Sequence, residues 1–189
     1  LLVIDSIVGG ETARGKAILR SGAKAGDAIY VSGSLGGAAG GLAILESAGS
    51  NRDPDSILVK RQLHPHPQVT LANHLTSLGL VNSMIDLSDG LSSDLGHICR
   101  ASGVGARIYA DQIPVDGELT QIYDPARSLA MALDGGEDFE LLFTASGDVT
   151  VDERFRVTKI GEITANDKRN IISDDGTQHE LTPKGFRHF

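Results

Sequence analysis

Three polar residues, Asp86, Ser88 and Asp89, follow one another closely at the end of the apolar run 81–85. The run predicts a buried strand, and Gly90 precedes a predicted helix. Ligands of α/β proteins lie at the carboxyl ends of strands, where these residues fall. Two carboxylates and a hydroxyl suit a hard cation such as Mg²⁺, which takes oxygen ligands and binds through carboxylates together with substrate phosphates.

Helix capping is the alternative explanation of the same residues. Ser88 or Asp89 can accept hydrogen bonds from the free amides at the start of the helix and complement its dipole. Capping does not explain Asp86, because an unpaired charge at the end of an apolar strand would be costly. We therefore interpret the segment as a metal or metal–phosphate site, in which Ser88 can also act as a cap.

A second polar pair, Glu137 and Asp138, follows two glycines and precedes a predicted strand at 139–144. Glycines let the backbone approach a ligand closely. The spacing alone favours neither a ligand site nor a plain turn with solvated acids.

The glycine-rich stretch 33–41 lacks the Gly-Lys-Ser/Thr ending of a Walker A loop and also the dinucleotide-binding spacing. Free amides at the start of the predicted helix can still meet an anion. Close helix packing is the preferred explanation of Gly40 and Gly41.

Other reactive side chains give no catalytic arrangement. His64 and His66 flank a proline in a predicted surface turn, and His74 and His97 are expected to be structural. Cys99, the only cysteine, is expected to be a buried, inert thiol. We assign no catalytic nucleophile or general base.

Strands alternating with helices indicate an α/β fold with a mixed sheet covered by helices. The predicted strands are 1–8, 28–31, 81–85, 104–109, 139–144, 157–163 and 170–172. Four predicted helices end near residues 48, 63, 78 and 102, and a fifth begins at Asp124-Pro125. A turn is predicted at 174–176 and a polar loop at 50–55.

Length and charge limit the number of domains and the kinds of partner that the chain can have. With 189 residues, the chain can form one domain with a short arm. A net charge of −8 argues against a nucleic-acid partner. No apolar run approaches the ~18 residues of a membrane span, and the single cysteine is compatible with a reducing cytoplasm.

Four segments resemble the carboxy-terminal part of the thiamine-monophosphate kinases, within the aminoimidazole-ribonucleotide-synthetase superfamily. They are RSGAKAGD at 20–27, DLSDGL at 86–91, GGEDFEL at 135–141 and GFRHF at 185–189. The resemblance implies an α/β/α layered domain that is partly ferredoxin-like. It also implies a cytoplasmic phosphotransferase of thiamine biosynthesis, which uses ATP and Mg²⁺ to convert thiamine monophosphate to thiamine diphosphate.

The resemblance also implies roles for individual residues. Asp86 and Asp89 would ligate Mg²⁺, Ser88 and Arg20 would bind ATP, and two further residues would bind thiamine monophosphate. The latter are Glu137 and Phe186.

By the same resemblance, residues 1–15 are the remnant strand and linker of a missing amino-terminal domain, and 16–189 form the carboxy-terminal kinase domain. The full-length protein is expected to be a homodimer, and the chain alone is expected to be inactive. Two alternatives remain open: another ATP-dependent synthetase of the superfamily, and a non-catalytic binding module.

Overall fold

A seven-stranded sheet forms the centre of the protein, in a computed structural model that describes residues 7, 9–47 and 55–185. Its strands are β1 (Ala28–Ser32), β2 (Val81–Asp86), β3 (Gly105–Tyr109), β4 (Leu141–Ala145), β5 (Val157–Thr164), β6 (Arg169–Ile172) and β7 (Gln178–Glu180). They lie in the order β2-β4-β1-β5-β3-β6-β7. β3 and β6 run parallel, whereas the other neighbouring strands run antiparallel. The predicted mixed sheet is confirmed.

Helices lie on both faces of this sheet. They are α1 (Gly37–Ser47), α2 (Ile57–Leu63), α3 (Val69–Leu78), α4 (Leu91–Ser102), α5 (Gly117–Ile122) and α6 (Pro125–Asp134). α3 belongs to one apolar core, while α4 and α6 belong to a second core on the opposite face. The three layers confirm the predicted α/β/α arrangement.

The strand β1 shows why the sheet is covered twice. Ile29 and Val31 pack into the core beneath α4 and α6, whereas Ala28 and Tyr30 pack into the core beneath α3. Side chains of a strand alternate between faces, so an uninterrupted apolar strand needs an apolar partner on each side. β1 is therefore central.

Local sequence signals set the ends of the helices as predicted. α4 buries Leu91, Leu95 and Ile98 and ends at Gly103, whose left-handed backbone (φ 68°) suits glycine. α6 is capped by Asp124, whose carboxylate accepts a hydrogen bond from the amide of Arg127 at 3.0 Å.

The position of β2 corrects one sequence argument. The strand lies at the edge of the sheet and pairs antiparallel with β4, so its end is not the carboxyl edge of a parallel sheet. The carbonyl of Leu19 accepts a hydrogen bond from the amide of Met84 at 3.0 Å, on the free side of the strand. This contact places the segment that carries Arg20 alongside the free side of β2.

Two further expectations differ from the structure. The strand predicted from residue 139 begins at Leu141, because Glu137 and Phe139 have left-handed backbone angles that a strand cannot contain. The short helix α5 is not predicted, and the buried carboxylate of Asp116 caps it by accepting from the amide of Glu118 at 2.9 Å. The predicted hairpin at 174–176 joins β6 and β7 and is confirmed.

Some expectations fall outside the described residues. The strand at 1–8 lies outside them except for Ile7, which is exposed, and most of the loop at 50–55 also lies outside. Among the helices that the structure describes, none has the length and apolar character needed to cross a membrane.

Candidate functional site

The two polar segments of the sequence meet in the structure. The amide of Leu87 donates to the carbonyl of Glu140 at 2.8 Å, and the amide of Phe139 donates to the carbonyl of Leu87 at 2.9 Å. The amide of Glu137 donates to the carbonyl of Ser88 at 3.0 Å. These bonds continue the pairing of β2 with β4 beyond the strands, so the predicted ATP and substrate residues become neighbours.

The 135–140 segment reaches this position through unusual backbone geometry. Glu137 and Phe139 have φ angles of 67° and 51°, although neither is glycine. The left-handed conformation costs a residue with a Cβ roughly 1–2 kcal/mol. Gly136 contributes by close approach, since a Cβ atom there would lie 2.5 Å from the carbonyl oxygen of Ser88.

Asp138, between the two left-handed residues, fastens the segment to α1. Its carboxylate accepts from the amide of Gly36 at 2.7 Å and from the amide of Ala38 at 3.0 Å. Burial raises the pKa of this carboxyl to about 6, although the two amides and Arg61 act in the opposite direction. The amides expected to be free for an external anion are thus occupied by an internal one.

Gly40 and Gly41 serve helix packing, as preferred from the sequence. A Cβ at Gly40 would meet the side chains of Leu119 and Leu58, and one at Gly41 would overlap the carbonyl of Leu58. The glycine-rich stretch therefore brings α1 against α2 and α5.

The loop after β2 is held from inside by a residue that sequence reasoning missed. Asp94, buried in the first turn of α4, accepts from the amide of Ser88 at 3.1 Å and from the amide of Asp89 at 3.0 Å. Burial raises its pKa to about 6, and the two amides partly offset that effect. An acid in the first helical turn was the available signal.

The proposed metal ligands differ in exposure. Asp86 is exposed, so the argument that its charge is buried at the end of the strand is wrong. Asp89 is half-buried, and one carboxylate oxygen of it lies within 4.8 Å of an oxygen of Asp94 and of a ring nitrogen of His97.

His97 therefore lies beside the site rather than in a purely structural position. Burial lowers its pKa, and the charges of Arg100 and Arg20 lower it further. Its Nδ1 atom lies 3.0 Å from a guanidinium nitrogen of Arg100.

A hydroxyl at the end of α4 fixes the segment that carries Arg20. Ser102 accepts from the amides of Gly22 and Ala23, each at 3.2 Å, and its hydroxyl donates to the carbonyl of Arg20 at 3.4 Å. The backbone of the predicted ATP-binding residue is thus anchored, while its side chain remains exposed.

A cavity of about 640 Å³ lies where the polar segments meet α1. Ser88, Asp89 and Glu137 contribute to its lining. Other lining residues include Ala39, Leu42, Ala43, Gln62, Phe139 and Lys184, together with the acidic Glu46 and Asp134. Asp86 and Arg20 are not among its lining residues, so the structure brings three of the predicted site residues together at the cavity and leaves these two outside its lining.

The exposed Glu137 side chain is the polar centre of one cavity wall. The amide nitrogen of Gln62, on α2, donates a hydrogen bond to its carboxylate. Gly185, another lining residue, lies so close to the carbonyl of Asp89 that a Cβ atom at this glycine would overlap it. Phe186, the next residue, lies outside the described part of the chain.

Three other histidines behave as expected. His64 and His66 are exposed and border a small cavity beside Asp138 and Glu140. His74 packs against Phe155, with ring centroids 5.4 Å apart.

Residues 24–174 match the family of AIR synthase related proteins, C-terminal domain, and the chain belongs to this family. It is 40% identical over 208 residues to the thiamine-monophosphate kinase of Escherichia coli K12, covering 97% of this chain and 63% of that protein. It is 34% identical over 199 residues to the thiamine-monophosphate kinase of Bacillus subtilis, covering 100% of this chain and 60% of that protein. The chain thus spans about three fifths of the length of these curated relatives.

Solved structures agree in fold. A structure described as AaThiL complexed with AMPPCP and TMP has a TM-score of 0.78 and 31% identity, over 91% of this chain and 54% of that one. The thiamine-monophosphate kinase of Stenotrophomonas maltophilia K279a has a TM-score of 0.74 and 33% identity, over 86% and 54%. The resemblance inferred from the four segments is confirmed, and so is the fold class.

Proposed function

We propose that the chain is the carboxy-terminal domain of a kinase that uses ATP and Mg²⁺ to phosphorylate thiamine monophosphate to thiamine diphosphate. The observation that carries this proposal is the cavity at which Ser88 and Asp89 adjoin Glu137. The similarity to AaThiL, whose structure holds AMPPCP and TMP, supports the same two ligands for this chain.

The residues present fit a magnesium site by their chemistry. Asp86 is exposed and Asp89 half-buried, so both carboxylates can be reached by a cation. Oxygen ligands of this kind are those that Mg²⁺ prefers. In our proposal these two residues hold Mg²⁺, which when bound neutralises phosphate charge. Ser88 and Arg20 bind ATP beside them.

The acceptor explains why no catalytic base is assigned. The second pKa of a phosphate monoester is about 6, so the attacking oxygen of thiamine monophosphate is already ionised near neutral pH. The difficulty of the reaction lies in bringing two anionic groups together, which is a matter of positioning and charge neutralisation.

The cavity walls suit the rest of the substrate. Glu137 places a negative charge where the cationic thiazolium ring can pair with it. Ala39, Leu42 and Ala43 provide an apolar wall for an aromatic ring. We keep Phe186 as the proposed stacking residue, since it follows Gly185 at the cavity edge.

The activity is proposed for a protein of the relatives' full length, in which residues 16–189 form the carboxy-terminal domain after an arm at 1–15. We further propose a cytoplasmic homodimer and no turnover of ATP by the 189 residues alone. Robust Mg²⁺-dependent formation of thiamine diphosphate by the 189 residues would contradict that last part.

Calorimetry tests the substrate assignment. Thiamine monophosphate is titrated into the full-length protein with Mg²⁺ and AMPPCP, and an aminoimidazole precursor serves as the rival ligand. We expect binding of the thiamine compound only, weakened about tenfold or more by Glu137→Gln, which removes a charge partner. Glu153→Gln, at an exposed glutamate away from the cavity, is the control. Equal binding of both ligands, or an unchanged affinity in Glu137→Gln, refutes the assignment.

A further inference from the structure

Asp94 occupies the position of a bound anion beneath the loop after β2. Its side chain is fully buried, and its Oδ2 atom accepts hydrogen bonds from the consecutive amides of Ser88 and Asp89 at 3.1 and 3.0 Å. Successive amides that converge on one oxygen form the arrangement with which protein loops bind anions. Here the anion belongs to the chain itself.

Ordinary helix capping does not account for this contact. The residue before the first turn of α4 is Gly90, and in a capping box the acid of the first turn reaches back to the amide of that residue. Asp94 instead bonds the amides of the residues one and two positions earlier. The carboxylate therefore fastens the loop that carries Ser88 and Asp89.

The carbonyl side of the same loop is also occupied. The carbonyls of Leu87 and Ser88 accept from the amides of Phe139 and Glu137. With these amides and carbonyls engaged, the loop offers a ligand its side chains, namely the exposed Asp86 and the half-buried Ser88 and Asp89.

We propose that Asp94 is a positioning residue that makes this loop a cation site. By accepting hydrogen bonds from the amides of Ser88 and Asp89, Asp94 keeps these amides from binding phosphate. It also holds the Asp89 carboxylate in place for a cation, and this second part rests on the proposed function. A nucleotide's phosphates then meet the loop through cations and side chains, in contrast to a P-loop, whose free amides bind phosphate directly.

A phosphate titration tests the anion part without any metal. In the ¹⁵N-labelled chain, inorganic phosphate should leave the Ser88 and Asp89 amide signals unchanged. In Asp94→Ala the freed amides should shift with saturable dependence on phosphate. Asp94→Asn should behave like the wild type, because its side-chain oxygen still accepts hydrogen bonds.

The matched control is Asp116→Asn, at another buried aspartate that accepts a backbone amide, and its Ser88 and Asp89 signals should not respond. The proposal is overturned if the wild-type amides respond to phosphate, or if those of a folded Asp94→Ala do not. Should Asp94→Ala fail to fold, Asp94→Asn decides. We expect its Ser88 and Asp89 amide signals not to respond, so a saturable response of these signals to phosphate overturns the proposal.

Binding of Mn²⁺, followed by electron paramagnetic resonance, tests the cation part. We expect Asp94→Ala to weaken Mn²⁺ binding by about tenfold or more, as loss of a supporting group around a metal ligand does. Asp94→Asn should weaken it less, since the amides stay occupied. Asp89→Asn checks the metal site itself.

The outcomes separate the two hypotheses. Loss of Mn²⁺ in Asp89→Asn with full binding in Asp94→Ala overturns the role of Asp94 and leaves the proposed function standing. Absence of Mn²⁺ binding by the wild-type chain counts against the metal site of the proposed function and against the cation part. The phosphate titration then still decides whether Asp94 excludes anions.

Discussion

The amide of Glu137 donates a hydrogen bond to the carbonyl of Ser88 at 3.0 Å, which joins the residue proposed for the substrate to the residue proposed for ATP. The bond lies in the backbone, so it does not depend on the rotamer of either side chain. The spacing between the two ligand-binding sides is therefore set by the fold, which suits a reaction governed by positioning.

Gly136→Ala should separate these two segments. The new Cβ atom would lie 2.5 Å from the Ser88 carbonyl, which requires the backbone to shift. We expect a loss of about 1–3 kcal/mol in the free energy of unfolding, typical of overpacking, together with weaker binding of thiamine monophosphate. Denaturant unfolding and calorimetry measure both effects.

Gly117→Ala provides the matched control, because no atom lies within 4 Å of a Cβ added at that glycine. If Gly136→Ala were as stable as Gly117→Ala, the close approach of Gly136 to the Ser88 carbonyl would not contribute to stability, and the prediction would be wrong.

Glu137→Gly should stabilise the fold and weaken the binding of thiamine monophosphate. The left-handed backbone at this position (φ 67°) is strained for glutamate and unstrained for glycine. We expect the free energy of unfolding to rise by about 1 kcal/mol, while the affinity for thiamine monophosphate falls. Glu153→Gly, at a glutamate without positive φ, should not be stabilised. A destabilised Glu137→Gly would contradict the strain argument.

Asp138 should make stability depend on pH. Its carboxyl has a pKa of about 6 in the fold against an ordinary 3.8, so the native state binds the proton more tightly than the unfolded chain does. The stability that it contributes is complete below the lower value and is lost as the pH rises through the higher one.

The wild type should therefore lose up to about 3 kcal/mol relative to Asp138→Asn between pH 4 and pH 7, from 1.36 kcal/mol per pKa unit. Urea unfolding of both proteins at these two values measures the difference. A difference that does not change with pH would refute the assignment.

Cys99 should be unreactive in the folded protein. Burial raises the pKa of its thiol to about 11, and the thiolate is the reactive form. We expect a disulfide reagent at pH 8 to modify the native chain at least about a hundredfold more slowly than the chain in denaturant, because modification requires opening. Equal rates in both states would show an accessible thiol.

The sequence predicts those structural features that depend on residues close together in the chain, such as the ends of helices. Gly103 and Asp124 mark helix ends through their own backbone and side-chain chemistry, and the structure agrees at both. The segment 86–91 is interpretable as a metal or metal–phosphate site from its local pattern, whereas a role for 135–141 follows only from the family resemblance.

Contacts between distant residues could not be predicted in this way. Asp138 caps α1 from a position far along the chain, and Gln62 reaches Glu137 from another helix. The edge position of β2 likewise depends on the strand order, which hydrophobic periodicity does not contain. Asp94 indicates the first turn of a helix in the sequence, but its hydrogen bonds to the amides of Ser88 and Asp89 are evident only from the structure.

The bond between Met84 and Leu19 has a consequence for handling the protein. Unshielded edge strands recruit the same strand from other molecules, and native proteins cover them to avoid aggregation. Proteolysis directly after Leu19 would free that cover from β2, while Ala23, which belongs to the core, stays joined to the domain. The shortened protein would then self-associate through sheet extension along β2, the strand that leads into the proposed cation loop.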